Sequence, residues 1–376
     1  MKIEIPENKR NIPSLFVCSD GTEVTSAEDW MNRRRPEILE ILHREEYGRY
    51  PDMSDVRITM KVVAERSGEK IMNGRAVRKT VEVESVRNDR HFIFSFDVFI
   101  PLNAKKPVPA FVEICNRGSM NCDPAREVLS TFYPAETIIS RGYACAAFRT
   151  HEVAPDYEEG FQTGFHRLFP EISENRPADA YGTLIIWAWA ASRVMDFFEQ
   201  EPMIDEKKVA VVGHSRGGKT SLLAGALDER FALAISSCSG NSGDAITRGK
   251  SGETVGQILD RFPYWFAGNY KKYIGHEDEM PFDQHFLVSL MAPRLVYTST
   301  KTNDAWADPA SEFETLIQVN PVYQLFGLEG LQQTERPLPE QPLHEGCIGH
   351  HHKTGDHNMD DYDWDQYMDY TDRHLK

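Results

Sequence analysis

Three residue types that together perform nucleophilic catalysis are far apart in this chain, and the serine is the easiest to find. The stretch Lys208-Val209-Ala210-Val211-Val212-Gly213-His214-Ser215-Arg216-Gly217-Gly218-Lys219-Thr220-Ser221-Leu222-Leu223 holds the G-x-S-x-G spacing at Gly213, Ser215 and Gly217. Five loosely specified residues recur by chance, but here an apolar strand precedes them and an Ala/Leu-rich helix follows. A serine on so sharp a strand-to-helix turn needs small residues two before and two after it. The helix start then directs free N–H groups and its dipole at the oxyanion that forms on attack, with the N–H of Arg216 as first donor. The plain alternative is a Gly-rich turn that only packs helix on sheet.

A serine hydroxyl needs a base, and the base needs an orienting carboxylate; in this arrangement they follow in the order Ser, Asp/Glu, His. After Ser215, the run Leu295-Val296-Tyr297-Thr298 enters a polar loop with Asp304, a carboxylate at the C-terminal edge of a sheet, where catalytic groups gather in open α/β folds. Asp308, before Pro309, reads as the cap of the next helix. His357 sits in a Gly-containing loop before the last helix, where the base belongs. The cluster His350, His352, Asp356 and His357 also permits a metal reading, but no H-E-x-x-H helix or Cys/His spacing supports it, so neither metal nor cofactor is expected. His350 to His352 read as a solvated loop, and Asp356, Asp360, Asp361, Asp363 and Asp365 as exposed charge.

The elements that must position these groups are legible in the periodicity. A capping box at Ser26 to Asp29 opens a helix over 30–46. Period-two stretches at 56–63, 76–86 and 91–100 predict antiparallel strands. From Val108 the pattern changes: short apolar runs at 109–114, 143–148, 209–212, 232–236 and 295–298 alternate with helices at 184–199 and 215–227. That is βαβ grammar and a doubly wound, mostly parallel sheet. A closing helix is expected over 363–375. The expectation is a single α/β domain over 1–376, with an N-terminal helix and antiparallel strand layer (1–105) on a catalytic core (106–376).

The 376 residues carry a net charge of −16 and are 40% hydrophobic, enough for a sizeable core. Phosphates would repel such a chain, so neither nucleic acid nor membrane is expected as a partner. No run of ~18 apolar residues exists, and the stretch from Met1 lacks the apolar core of a secretory signal. As the sequence stands it is expected in the cytoplasm, or outside the cell or in the periplasm if a leader has been removed. Six scattered cysteines without CxxC spacing read as reduced thiols. Oligomeric state is left open.

From about Trp187 onward the chain resembles the bacterial branch of the glucuronoyl esterases, serine α/β-hydrolases that cleave esters of glucuronic acid carried on xylan. The family's elbow reads G-C/H-S-R-x-G-K, and here it is Gly213-His214-Ser215-Arg216-Gly217-Gly218-Lys219. Further similarities are Gly252-Glu253, Ala292-Pro293-Arg294 and Asp304-Ala305-Trp306-Ala307-Asp308-Pro309, and upstream Arg34-Arg35-Pro36-Glu37 and Tyr47-Gly48-Arg49-Tyr50-Pro51. The resemblance implies the α/β-hydrolase fold, Ser215 as nucleophile, His357 as base and Arg216 as an oxyanion contributor. It also implies that Lys219, Glu253 and Trp306 contact the uronate sugar. The sequence departs from the family's fungal pattern in one respect: the position of the fungal acid, a Glu after the strand following the elbow, aligns with Cys238. The acid expected here is therefore Asp304.

The resulting expectation is a carboxylic ester hydrolase acting on glucuronic acid esters of xylan-type saccharides through Ser215, His357 and Asp304. Its partner is a small-molecule or oligosaccharide ester. A second oxyanion donor is expected near Asn116 to Ser119, with the Arg216 guanidinium as a further candidate. The alternatives are a deacetylase of acetylated xylan or xylo-oligosaccharides with the same triad, and a decayed hydrolase fold that only binds carbohydrate.

Overall fold

The computed structural model describes residues 5–376, except for the side chain of Glu159; Met1 to Glu4, part of the stretch searched for a leader, lie outside the described residues. The first helix starts where its cap dictates. Ser26 Oγ accepts from the Asp29 N–H at 3.1 Å and Asp29 Oδ2 accepts from the Ser26 N–H at 3.1 Å, so two orphan donors are satisfied reciprocally. The helical stretch then passes through Arg35–Leu42, with wider π-type turns at Trp30–Arg34 and His43–Tyr47, and stops at Gly48.

Nine strands follow among the described residues: β1 (Arg57–Arg66), β2 (Ala76–Arg87), β3 (Arg90–Pro101), β4 (Val108–Cys115), β5 (Ala144–Arg149), β6 (Ile204–His214), β7 (Leu233–Ser237), β8 (Leu295–Lys301) and β9 (Ile348–Lys353). They form one sheet in the order β1-β2-β3-β5-β4-β6-β7-β8-β9. The first three pair antiparallel, as their alternation requires, and β3 meets β5 antiparallel; from β5 to β9 every pair is parallel. All of β4 is buried, as expected of a parallel strand covered on both faces. The helix Thr183–Phe198 is apolar almost all round and correspondingly buried. Among the described residues, no helix is long and apolar enough to cross a membrane.

Two expectations are corrected. His350 to His352 are not a solvated loop: they lie on β9, and His350 and His351 are fully buried. Three consecutive polar residues hide the strand from a hydrophobicity reading, yet each imidazole finds a partner. His350 and His352 Nδ1 lie 2.8 Å from the hydroxyls of Thr298 and Thr300 on β8, and His351 Nε2 lies 2.7 Å from Asp363. Asp363 is accordingly not surface charge: it is buried in the closing helix Asp361–Leu375, against Lys301 and His351. His350, His352 and Asp356 thus each meet a different partner, and among the described residues these three do not gather with His357 into a metal-binding group.

Candidate active site

The turn after β6 shows why its small residues are needed. A Cβ on Gly213 would stand 2.2 Å from the Gly217 carbonyl oxygen, and one on Gly217 would stand 3.0 Å from that of Ile114. The chain doubles back so tightly that Ser215 takes φ 58° and ψ −121°, which for a non-glycine residue costs about 1–3 kcal/mol. Backbone bonds hold the strain in place: the Ser215 N–H donates to Ser237 O at 2.7 Å, and the Lys219 N–H to Ser215 O at 3.1 Å. The helix Arg216–Leu227 begins at once, so its unpaired N–H groups open beside the serine.

Parallel strands end at the same edge, which brings the loops after β8 and β9 together. Thr302 N–H donates to Lys353 O (2.9 Å), Asn303 N–H to Gly355 O (3.0 Å) and Gly355 N–H to Thr302 Oγ1 (3.1 Å). Held in this clamp, Asp304 Oδ2 lies 2.6 Å from His357 Nδ1. The Asp304 side chain is 4% exposed and that of His357 41%, so the pair is fixed on one side and open on the other. The His357 ring also packs on His214, with centroids 4.5 Å apart; burial first, and then His357, push the His214 imidazole far below its usual range.

Ser215 and His357 line one cavity of about 240 Å³, together with Arg216, Lys219, Cys238, Glu253, Phe262, Trp265 and Trp306. Trp306 stands at the rim, 45% exposed, and Glu253 is 8% exposed. Lys219 differs from a free sugar-binding ammonium. It is 4% exposed, its burial lowers its pKa, and Nζ donates to the carbonyls of Ser239 and Asn241. An ammonium has three donors, so one remains. Near Lys219, Asp244 and Glu312 are buried, and both are pushed upward, first by burial and then for Glu312 by its neighbour. Asp308 caps the helix Pro309–Leu325: its carboxylate accepts from Ser311 Oγ at 2.7 Å and the Ser251 N–H at 2.8 Å. It does not contact the His357 ring.

Sequence reasoning missed the setting of Arg216. Its guanidinium pairs with Asp156 and lies 4.9 and 4.8 Å over the rings of Phe262 and Trp265. Asp156 also accepts from Trp265 Nε1 at 2.7 Å and the Tyr264 hydroxyl at 3.1 Å. The aromatic density of Phe262-Pro263-Tyr264-Trp265-Phe266 was the available signal; nothing local marked Asp156. Asn116, in the expected second donor region, borders the elbow: its Oδ1 lies 3.1 Å from where a Gly217 Cβ would be.

Comparison with known proteins gives this geometry a family. A model of fungal glucuronyl esterases matches residues 83–327. The carbohydrate esterase MZ0003, from an unknown prokaryotic organism, is 34% identical, over 98% of this chain and 90% of its own. The solved glucuronoyl esterase from Solibacter usitatus superposes with a TM-score of 0.90 at 31% identity, covering 100% of both chains. A glucuronoyl esterase mutant from Sporotrichum thermophile, in complex with methyl 4-O-methyl-beta-D-glucopyranuronate, matches with a TM-score of 0.64 at 25% identity, over 86% of this chain and 80% of that one. On the family match and on near-complete coverage by relatives above 30% identity, this chain belongs to the glucuronoyl esterase family of α/β-hydrolases.

Proposed function

We propose that the protein hydrolyses esters of glucuronic acid borne on xylan-type saccharides, with Ser215 as nucleophile, His357 as base and Asp304 as its orienting acid. The observation that carries the reading is the 2.6 Å contact between Asp304 and His357 Nδ1, on a ring that faces the cavity containing the elbow serine. A carboxylate on Nδ1 fixes the tautomer that leaves Nε2 free to accept the Ser215 proton, and stabilises the imidazolium that results. The serine oxygen adds to the ester carbonyl, and the oxyanion takes the N–H of Arg216 at the helix start. Collapse expels the alcohol, protonated by His357, and leaves an acyl-enzyme. Water, deprotonated by His357, then releases the acid.

The uronate assignment rests on the family and on the lining. Glu253 accepts from hydroxyls, Trp306 offers a ring face at the rim, and the remaining Lys219 donor and the Arg216 guanidinium add cationic character to the acyl side. An acetyl ester would put its sugar on the alcohol side and leave these groups idle. The test is a parallel assay on benzyl glucuronate, methyl glucuronate and acetylated xylo-oligosaccharides. Turnover of the two glucuronates that vanishes in Ser215→Ala is the expected result. Preference for the acetylated saccharides would replace this reading with the deacetylase, and binding without turnover of any ester would point to a decayed site.

A further inference from the structure

Cys238 lines the catalytic cavity but has no role in ester hydrolysis. It follows β7, is 1% exposed, and is pinned by its own N–H, which donates to Ser299 O on β8 at 2.8 Å. Ligand atoms of Cys238, Asp304 and His357 all lie within 4.8 Å of one another. Thiolate, imidazole and carboxylate are the donor set of zinc, bound at about 2.0–2.3 Å, so tetrahedral ligands stand roughly 3.3–3.7 Å apart. Reaching that spacing asks the Asp304–His357 contact to open by under about 1 Å. The route in is the cavity itself, since His357 presents 41% of its side chain.

We propose that Cys238, Asp304 and His357 form an inhibitory site for a soft divalent transition-metal ion, Zn²⁺ or Cd²⁺, with its fourth position open to the cavity. The switching effect rests on the reading of His357 and Asp304 as base and orienting acid. Binding forms metal–sulfur, metal–nitrogen and metal–oxygen bonds and releases one proton, from the Cys238 thiol, to solvent. The proton on His357 Nδ1 moves to Nε2, so the ring stays neutral while Nδ1 takes the metal. An Nε2 that carries a proton cannot accept another from Ser215, and Asp304 is engaged by the ion. Metal occupancy and catalysis therefore exclude each other, and the same imidazole decides between them. Burial pushes the Cys238 thiol well above its usual range, so without metal it is a neutral bystander. A metal ion deprotonates a coordinating thiol outright.

The test has two independent arms. In the first, benzyl glucuronate turnover is followed against Zn²⁺ and then EDTA, each protein being referred to its own metal-free rate. At least tenfold inhibition is expected in the wild type, reversed by EDTA and weakened at least tenfold in Cys238→Ser. In the second, Cd²⁺ is titrated into the inactive Ser215→Ala protein. One equivalent should produce the ultraviolet sulfur-to-cadmium charge-transfer band, and the band should be missing in Ser215→Ala/Cys238→Ala. Absence of the band, or Zn²⁺ inhibition that is undiminished in Cys238→Ser, overturns the site. A band at one equivalent of Cd²⁺ in Ser215→Ala, with the wild type fully active at the same saturating Cd²⁺, keeps the metal site and overturns instead the role given to His357 and Asp304.

Discussion

Among the described residues, two histidine–aspartate pairs of nearly equal length lie in opposite surroundings. His357 and Asp304 meet at 2.6 Å with the imidazole side chain 41% exposed; His351 and Asp363 meet at 2.7 Å with both side chains fully buried. The second pair is closed on every side. Tyr297 lies 3.0 Å from His351 Nδ1, and Lys301 shares the Asp363 carboxylate. Burial lowers the His351 imidazole to about 4, while His351 and Lys301 hold the Asp363 carboxylate far below its usual range against the opposing effect of its own burial. A hydrogen bond of one length thus serves two ends. Where a ring nitrogen faces a cavity it is open to the proton transfer proposed for His357; where both nitrogens are bound inside, the ring ties a strand to a helix.

Breaking each pair should separate the two roles. Asp304→Asn is expected to cost on the order of 10⁴ in kcat, because the amide admits the wrong imidazole tautomer, and to leave the melting temperature nearly unchanged. Steady-state kinetics with benzyl glucuronate beside thermal unfolding checks both halves. Asp363→Asn should do the reverse. It leaves Lys301 and His351 buried without their carboxylate, a loss of about 3–5 kcal/mol in stability, while the activity of the fraction that remains folded persists. Denaturant unfolding combined with active-site titration by a serine-directed phosphonate measures this. If Asp363→Asn kept full stability, the contrast between the pairs would be wrong.

A smaller effect sharpens the comparison through pH. His351 and His285 are both held neutral by burial, each lowered to about 4. The unfolded chain binds these protons first, near pH 6.5, so their contribution is complete above that pH and is lost as pH falls towards 4. Each site removes up to about 1.4 kcal/mol per pH unit in that window. Melting temperature measured from pH 7.5 to 4 should fall on the acid side, and a flat profile would contradict the burial of these rings. The smallest change is expected at Asp308, whose carboxylate caps a helix rather than orienting His357. Asp308→Ala should cost about 1 kcal/mol with turnover retained; a large loss of rate would move the acid from Asp304 to Asp308.

What the sequence discloses about these regions follows from the range of each cause. The elbow is legible because sterics within five residues demand it, and Gly213 and Gly217 have no alternative. Asp304 and His357 are legible because both follow parallel strands, and such loops share an edge. The strand at His350 to His352 is not, since its burial depends on threonines of β8 some fifty residues earlier. Asp156 escapes for the same reason: its partners Arg216, Tyr264 and Trp265 come from distant stretches of chain. Lys219 lies between these cases. Its place one helical turn after Ser215 is legible, but the two carbonyls that occupy its ammonium are not.

The clamp between the loops after β8 and β9 also sets a timetable. On the proposed roles, a ribosome that has made the chain as far as residue 340 has already produced the serine, its elbow and the orienting acid, but no base. His357 arrives with β9, and β9 is secured by Asp363 and Lys301 only once the helix Asp361–Leu375 has docked. On those roles the triad is incomplete until the segment that completes the sheet has been made.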